Sequence, residues 1–209
     1  MLIENIINEF SNKNKSYKII AILPGRFQPP HIGHVKSWEW LSDKFYDAYI
    51  VTSNKVDPPR SPFTFQEKKE MFIYAGIPSD HIIQVREPYK ATELVSQFDA
   101  DNTVVLFGVS KKDMDENPRF SFKPKKDGSQ GFLQPYDKNI DNLKPVSQHA
   151  YIITVPTLQF TVGGIPMKSA TDFRKRFADA SNASQAKMIT DLYGKYSDRI
   201  HALMRNRIK

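Results

Sequence analysis

Cysteine is absent from all 209 residues, which removes disulfides, zinc–thiolate centres and thiol nucleophiles at once. No apolar run is long enough to cross a bilayer, and no signal-peptide pattern opens the chain. A cytoplasmic protein without a membrane partner is therefore expected. Internal repeats and low-complexity tracts are also missing. Acidic side chains are in deficit, 23 against 30 Lys and Arg, for a net charge of +7. Most of that excess lies late: from Lys168 onward there are ten basic residues against four acidic. Such a stretch attracts polyanions, though it reads equally well as a solvated helical face. What remains is ordinary, with 40% apolar and 25% charged residues, enough to bury a core in a chain of this length.

The opening segment places Leu2, Ile3, Ile6, Ile7 and Phe10 on one face, which predicts a short amphipathic helix over 1–16, docked on the protein. Strand-like runs then recur at 17–23, 47–53, 81–86, 102–109 and 150–155. They are rich in Ile and Val and nearly continuous in hydrophobicity, as strands buried on both faces of a parallel sheet are. Val35, Trp38, Leu41 and Phe45 fall at helical spacing after the first run. Thr64 and Glu67 stand in capping-box positions, and Gly76 ends that helix. "ATELVSQF" at 91–98 supplies a third crossover helix. The alternation predicts an α/β fold, a doubly wound parallel sheet over 17–160, with a C-terminal helical segment over 161–209. Within the latter, one long helix is expected from Ser184 to Arg207, its apolar stripe formed by Met188, Leu192, Tyr196, Ile200 and Leu203. The stretch 111–147 lacks periodicity and is dense in Lys, Pro and Gly, the mark of a lid, a binding loop or a disordered segment.

Ligands of doubly wound sheets sit beyond the carboxyl ends of the strands, and "GRFQPPHIGH" at 25–34 follows the first strand directly. Gly25 permits close approach, and Pro29 and Pro30 stiffen the loop. His31 and His34 lie at a helix start, where free backbone N–H groups favour an anion. Arg26 adds a fixed positive charge with forked geometry. A capping role for His31 and an internal one for His34 are the plain alternatives. A zinc pair lacks a third ligand nearby.

This decamer resembles the signature of the HIGH-motif nucleotidylyltransferase superfamily. That superfamily also carries a Ser/Thr-rich helix start ending in Arg, and "KSATDFR" at 168–174 is similar to it, with Ser169, Thr171 and Arg174 in the matching places and Ala170 departing. "SPFTFQEK" at 61–68 resembles the archaeal-type nicotinamide-nucleotide adenylyltransferases, with Lys68 where those proteins commonly carry Arg. The resemblance covers the sheet to about residue 110 and the segment 160–176.

It implies a Rossmann-like fold and transfer of a nucleotidyl group from ATP or CTP to a phosphate-bearing acceptor, foremost ATP to nicotinamide mononucleotide. Mg²⁺ would arrive with the triphosphate. His31, His34, Arg26 and Arg174 would act on the phosphates, and Gly25, Phe27, Gly33, Lys168, Ser169 and Thr171 would bind the nucleotide. Phe63, Lys68, Phe120 and Phe122 are the acceptor-side candidates, with Trp38 assigned to the core and Lys111, Lys112, Lys123, Lys125 and Lys126 available to a lid. A homo-oligomer is in keeping with the superfamily. Cytidylyl transfer, another acceptor such as glycerol phosphate or phosphopantetheine, and a non-catalytic nucleotide- or nucleic-acid-binding module stand as alternatives. A synthetase, which shares the HIGH element, needs more chain than is present.

Overall fold

The computed structural model describes residues 17–45, 47–115, 120, 122–167 and 169–209. The expected N-terminal helix over 1–16 and the candidate Lys168 lie outside the described residues, as does the side chain of Lys112. Six strands form the central sheet: β1 (Lys18–Pro24), β2 (Asp47–Thr52), β3 (Ile82–Gln84), β4 (Thr103–Ser110), β5 (Leu133–Pro135) and β6 (Ala150–Val155). Their order is β3-β2-β1-β4-β6-β5, and every pairing is parallel. The doubly wound sheet read from the sequence is thus present. The order reverses between β1 and β4, which places the ligand crevice just beyond β1.

The register explains the continuous apolar runs. Ala21 and Leu23 face one side with Ala48, Ile50, Val104 and Leu106. Ile20 and Ile22 face the other with Val105 and Phe107. Both layers are buried, so neither face could carry polar residues. Helix α1 (Ile32–Ser42) covers the first face with Val35, Trp38 and Leu41. Its Trp38 reaches through the core to donate Nε1–H to the Ala48 carbonyl at 2.8 Å. Helix α2 (Phe65–Tyr74) starts at a reciprocal Thr64–Glu67 capping box and adds Phe65 and Phe72 to the same layer.

Two expectations need correction. The third crossover helix is a single turn, α3 (Thr92–Val95), anchored by buried Leu94; the segment around it shares the closing of that face with Met114, Phe120, Phe122, Leu133 and Val146 of the long 111–147 stretch. That stretch carries the short α4 (Lys111–Asp115) and edge strand β5, which pairs Leu133 with Ala150. With three residues, β5 has too little pattern to be read from sequence, and its partner strand defines it.

The C-terminal region forms a hairpin, β7 (Thr161–Val162) and β8 (Ile165–Pro166), then α5 (Ala170–Asp179), α6 (Asn182–Tyr193) and α7 (Asp198–Arg207). The single long helix expected from Ser184 is therefore two. Gly194 takes φ 76, a left-handed angle that closes α6, and Ser197 caps α7 by accepting from the Ile200 amide. The break turns Tyr196 out of the apolar stripe, leaving it 43% exposed. Met188, Leu192 and Ile200 stay buried and share a core with Phe173, Phe177, Phe63 and Met71. Full burial of Phe173 and Phe177 is worth roughly 2–3 kcal/mol each and fixes α5 against the loop that precedes α2.

Candidate active site

After β1 the Gly25 amide donates to the Val51 carbonyl at 3.1 Å, holding the loop in line with the sheet. A Cβ on Gly25 would lie 2.6 Å from the Phe27 ring, so only glycine lets the chain fold over that side chain. Phe27 has φ 48, which costs of order 1 kcal/mol for a non-glycine residue. It is 6% exposed, and its ring meets His34 edge-on at 4.7 Å and Phe72 at 5.1 Å. The structure therefore packs Phe27 into the interior as a wedge between His34 and Phe72.

Gln28, which sequence reasoning passed over, is buried and zipped to the backbone of Phe63. Its Nε2 donates to the Phe63 carbonyl at 3.1 Å, and its Oε1 accepts the Phe63 amide at 2.9 Å. The signal available in the sequence was a lone amide among apolar and proline residues; its partner is 35 positions away.

His31 caps α1, its Nδ1 accepting the Gly33 amide at 3.1 Å. A neutral ring then carries its proton on Nε2. The rings of His31 and His34 stack at 3.6 Å, with Phe160 5.3 Å from His31. A Cβ on Gly33 would press on the His31 ring at 3.0 Å. Burial lowers the pKa of His31 to about 4. It carries His34 well below the ordinary value too, reinforced by repulsion from His31. Both imidazoles are neutral at neutral pH, each with one N–H to give, and Nδ1 of His34 is buried with no partner among the described residues. No acidic residue occupies the first turn of α1, so the positive end of that helix stays uncompensated.

The second motif arrives from far along the chain. Ser169 caps α5 by accepting the Asp172 amide at 3.1 Å. Arg174 is 8% exposed; its Nη1 donates to the Gln28 carbonyl at 2.6 Å and its Nη2 to Thr171 Oγ1 at 3.3 Å. Burial, and then the nearby Arg26, draw its pKa down. Among the described residues Arg174 thus sits beside a second cation with neutral oxygens as its partners, although a buried charge ordinarily recruits an opposite one. The bond from Arg174 to Gln28 O brings the second motif against the decamer that carries Arg26, His31 and His34, and a neighbourhood of unneutralised cations favours an anion.

The acceptor-side candidates are not gathered there. Lys68 is 1% exposed, and its Nζ donates to Thr52 Oγ1 at 2.6 Å, Ser53 O at 2.6 Å and Arg26 O at 3.3 Å. Burial lowers its pKa to about 8. With its protons spent on those oxygens, Lys68 ties β2 to the decamer and offers nothing to a ligand. Phe63 is fully buried in the C-terminal core. Phe120 and Phe122 pack on the second sheet face, Phe120 at 5.7 Å from Tyr89. Aromatic side chains found these positions because burial in this fold outcompetes exposure.

Known proteins similar to this chain include archaeal nicotinamide-nucleotide adenylyltransferases. A stretch of 63 residues is 38% identical to nicotinamide-nucleotide adenylyltransferase 1 of Sulfolobus acidocaldarius, covering 27% of this chain and 36% of that protein. One of 50 residues is 42% identical to the nicotinamide-nucleotide adenylyltransferase of Sulfurisphaera tokodaii, covering 23% and 29%. The chain thus matches about a third of the length of these relatives. Among solved structures, a bifunctional NMN adenylyltransferase/ADP ribose pyrophosphatase from Francisella tularensis, complexed with AMP and a Mn ion, superposes with a TM-score of 0.51. It covers 91% of this chain and 48% of its own at 17% identity, a likeness of fold. The sequence model of the cytidylyltransferase-like family matches residues 22–128, from β1 through the decamer and β4 into the long loop. With half of the chain matched and the two motifs joined by the Arg174–Gln28 bond, the protein belongs to the cytidylyltransferase-like family.

Proposed function

We propose that the protein transfers an adenylyl group from ATP to nicotinamide mononucleotide, forming NAD and releasing pyrophosphate. The observation that carries this reading is the bond from Arg174 to the Gln28 carbonyl, which joins two phosphate-type motifs 146 residues apart. The names of the archaeal relatives favour the adenylyl and nicotinamide choices over cytidylyl transfer.

In this reading an oxygen of the acceptor phosphate attacks the α-phosphorus, and the bond from that phosphorus to the β-phosphate oxygen breaks. Phosphate is nucleophilic at neutral pH, so a covalent enzyme intermediate is unnecessary, in keeping with a chain that has no cysteine. Catalysis is then positioning and charge stabilisation. The His34 and His31 N–H groups would steady the α-phosphoryl oxygens and the triphosphate. Their neutrality suits this, because each donates without having to be deprotonated or to repel its neighbour. Arg26, Ser169, Thr171 and Arg174 would hold the β- and γ-phosphates as negative charge moves onto the leaving group. Imidazole, guanidinium, hydroxyl and backbone N–H are donors for phosphate oxygens rather than ligands for a hard cation. Mg²⁺ would therefore enter as part of the nucleotide substrate.

The test is pyrophosphate release with Mg²⁺, ATP or CTP, and a panel of phosphate-bearing acceptors. Release that needs both ATP and nicotinamide mononucleotide, with NAD formed in equal amount, is expected. Activity with a different pair would keep the chemistry and replace the substrates; none with any pair would remove the proposal.

A further inference from the structure

Behind the decamer lies a cation sealed from solvent. Lys68 of α2 is 1% exposed, and its Nζ donates to three neutral oxygens: Thr52 Oγ1 and Ser53 O at 2.6 Å, and Arg26 O at 3.3 Å. Of the segments around it, the decamer brings Arg26 and the end of β2 brings Thr52 and Ser53. Its own helix brings Glu67, which is already engaged by Thr64 and Arg207. Among the described residues no carboxylate pairs with Lys68, and burial is what lowers its pKa, to about 8.

The third of these bonds holds the peptide between Arg26 and Phe27. That peptide is trans, so its N–H points opposite to its C=O. With Arg26 O turned toward Lys68, the Phe27 amide is turned away from it. Phe27 is buried, and its amide donates to no acceptor among the described residues, although buried backbone donors are rarely left so. Its φ of 48 is left-handed, an angle that a residue with a side chain keeps only where its surroundings enforce it. Rotating the 26–27 peptide changes that angle, so release of Arg26 O would let the loop relax and carry the N–H inward. The Gln28 side chain fixes the next residue to Phe63 and leaves this peptide to Lys68. We infer that Lys68 is a positioning residue for nucleotidyl transfer, holding the 26–27 peptide so that the Phe27 N–H stays free to meet charge building on the phosphates. The inference rests on the nucleotidyl-transfer reading above and adds no bond-making step to it. Lys68 itself touches no reacting atom.

Titrating Lys68 separates positioning from mere stability. A neutral amine has two N–H groups for the same three oxygens, and the contact to Arg26 O is the longest of them. The folded chain gives up this proton near pH 8 and the unfolded chain nearer the ordinary lysine value, so between the two this group makes stability rise with pH. Turnover should move the other way. The experiment is pyrophosphate release from MgATP and nicotinamide mononucleotide across this range, with urea midpoints measured in parallel. Wild-type kcat should fall by about tenfold from about pH 7 to about pH 9, while the urea midpoint holds or rises. Lys68→Arg keeps a donor that does not titrate here and should stay within about threefold of wild-type kcat without the alkaline fall. Lys68→Met should lower kcat by about tenfold to a hundredfold, with KM for both substrates within about threefold. The wild-type profile stands even if Lys68→Met fails to fold. A wild-type kcat that is flat across the range, a fall that Lys68→Arg retains, or a Lys68→Met variant that changes KM alone would overturn the inference and leave nucleotidyl transfer standing. A wild type that releases no pyrophosphate with any acceptor of the panel would remove both proposals.

Discussion

Replacing Arg174 with Met separates a residue that holds the fold from one that awaits a ligand. In the free protein its guanidinium is 8% exposed and bonded to Gln28 O at 2.6 Å and Thr171 Oγ1 at 3.3 Å. Losing it strands the Gln28 carbonyl, at a cost of about 1–3 kcal/mol. The same change removes a desolvated charge that faces Arg26, which offsets much of that cost. The net change in stability should be about 1 kcal/mol, a shift of about 2–4 °C in Tm for a chain of this size. Ligand binding should respond far more. At a hundred times Kd, MgATP should stabilise the wild type by about 2.7 kcal/mol, or about 5–10 °C, and the variant should keep less than half of that shift. Turnover should fall by about 10²–10³. Thermal unfolding with and without MgATP, alongside pyrophosphate release, measures both. Arg174→Lys should be intermediate, since it keeps the charge and loses the fork. A variant that melts more than about 10 °C lower yet turns over normally would refute the reasoning, because Arg174 would then be a structural bolt.

Three further outcomes follow from the same geometry. His34→Ala should lower turnover by about a hundredfold or more with circular dichroism unchanged, and near-normal turnover would sink the assignment. The free protein should lose stability on acidification, because burial lowers His31 to about 4 and carries His34 well below the ordinary histidine value. Between the ordinary histidine value and pH 4 the unfolded chain binds more protons, so stability falls as pH falls through that window; urea titrations across it should show the slope, and His31→Asn should flatten it. Gly25→Ala puts a methyl 2.6 Å from the Phe27 ring and should cost about 1–3 kcal/mol, read as a lower urea midpoint; an unchanged midpoint would mean that the ring has room to move.

The sheet was legible in the sequence because strands buried on both faces leave an unbroken run of Ile and Val, and β6 was found to the residue at 150–155. Capping chemistry was legible for the same local reason: Thr64 with Glu67, and Ser169, name their own helix starts. The decamer was legible because unusual residues cluster within ten positions. Local pattern misjudged the Ser184 helix, where Gly194 interrupts a periodicity that continues on both sides, and β5, whose identity rests on β6. It also misjudged Lys68 and Phe63, polar and aromatic in sequence but interior in the fold. Long-range contacts decided the rest. Gln28 is informative only once Phe63 and Arg174 reach it from 35 and 146 residues away, and the neutrality of the two histidines follows from burial that no single-sequence pattern encodes. The sequence by itself determined which residue types could meet a phosphate. Tertiary structure alone decided which of them share a crevice, because charge and desolvation act through space and not along the chain.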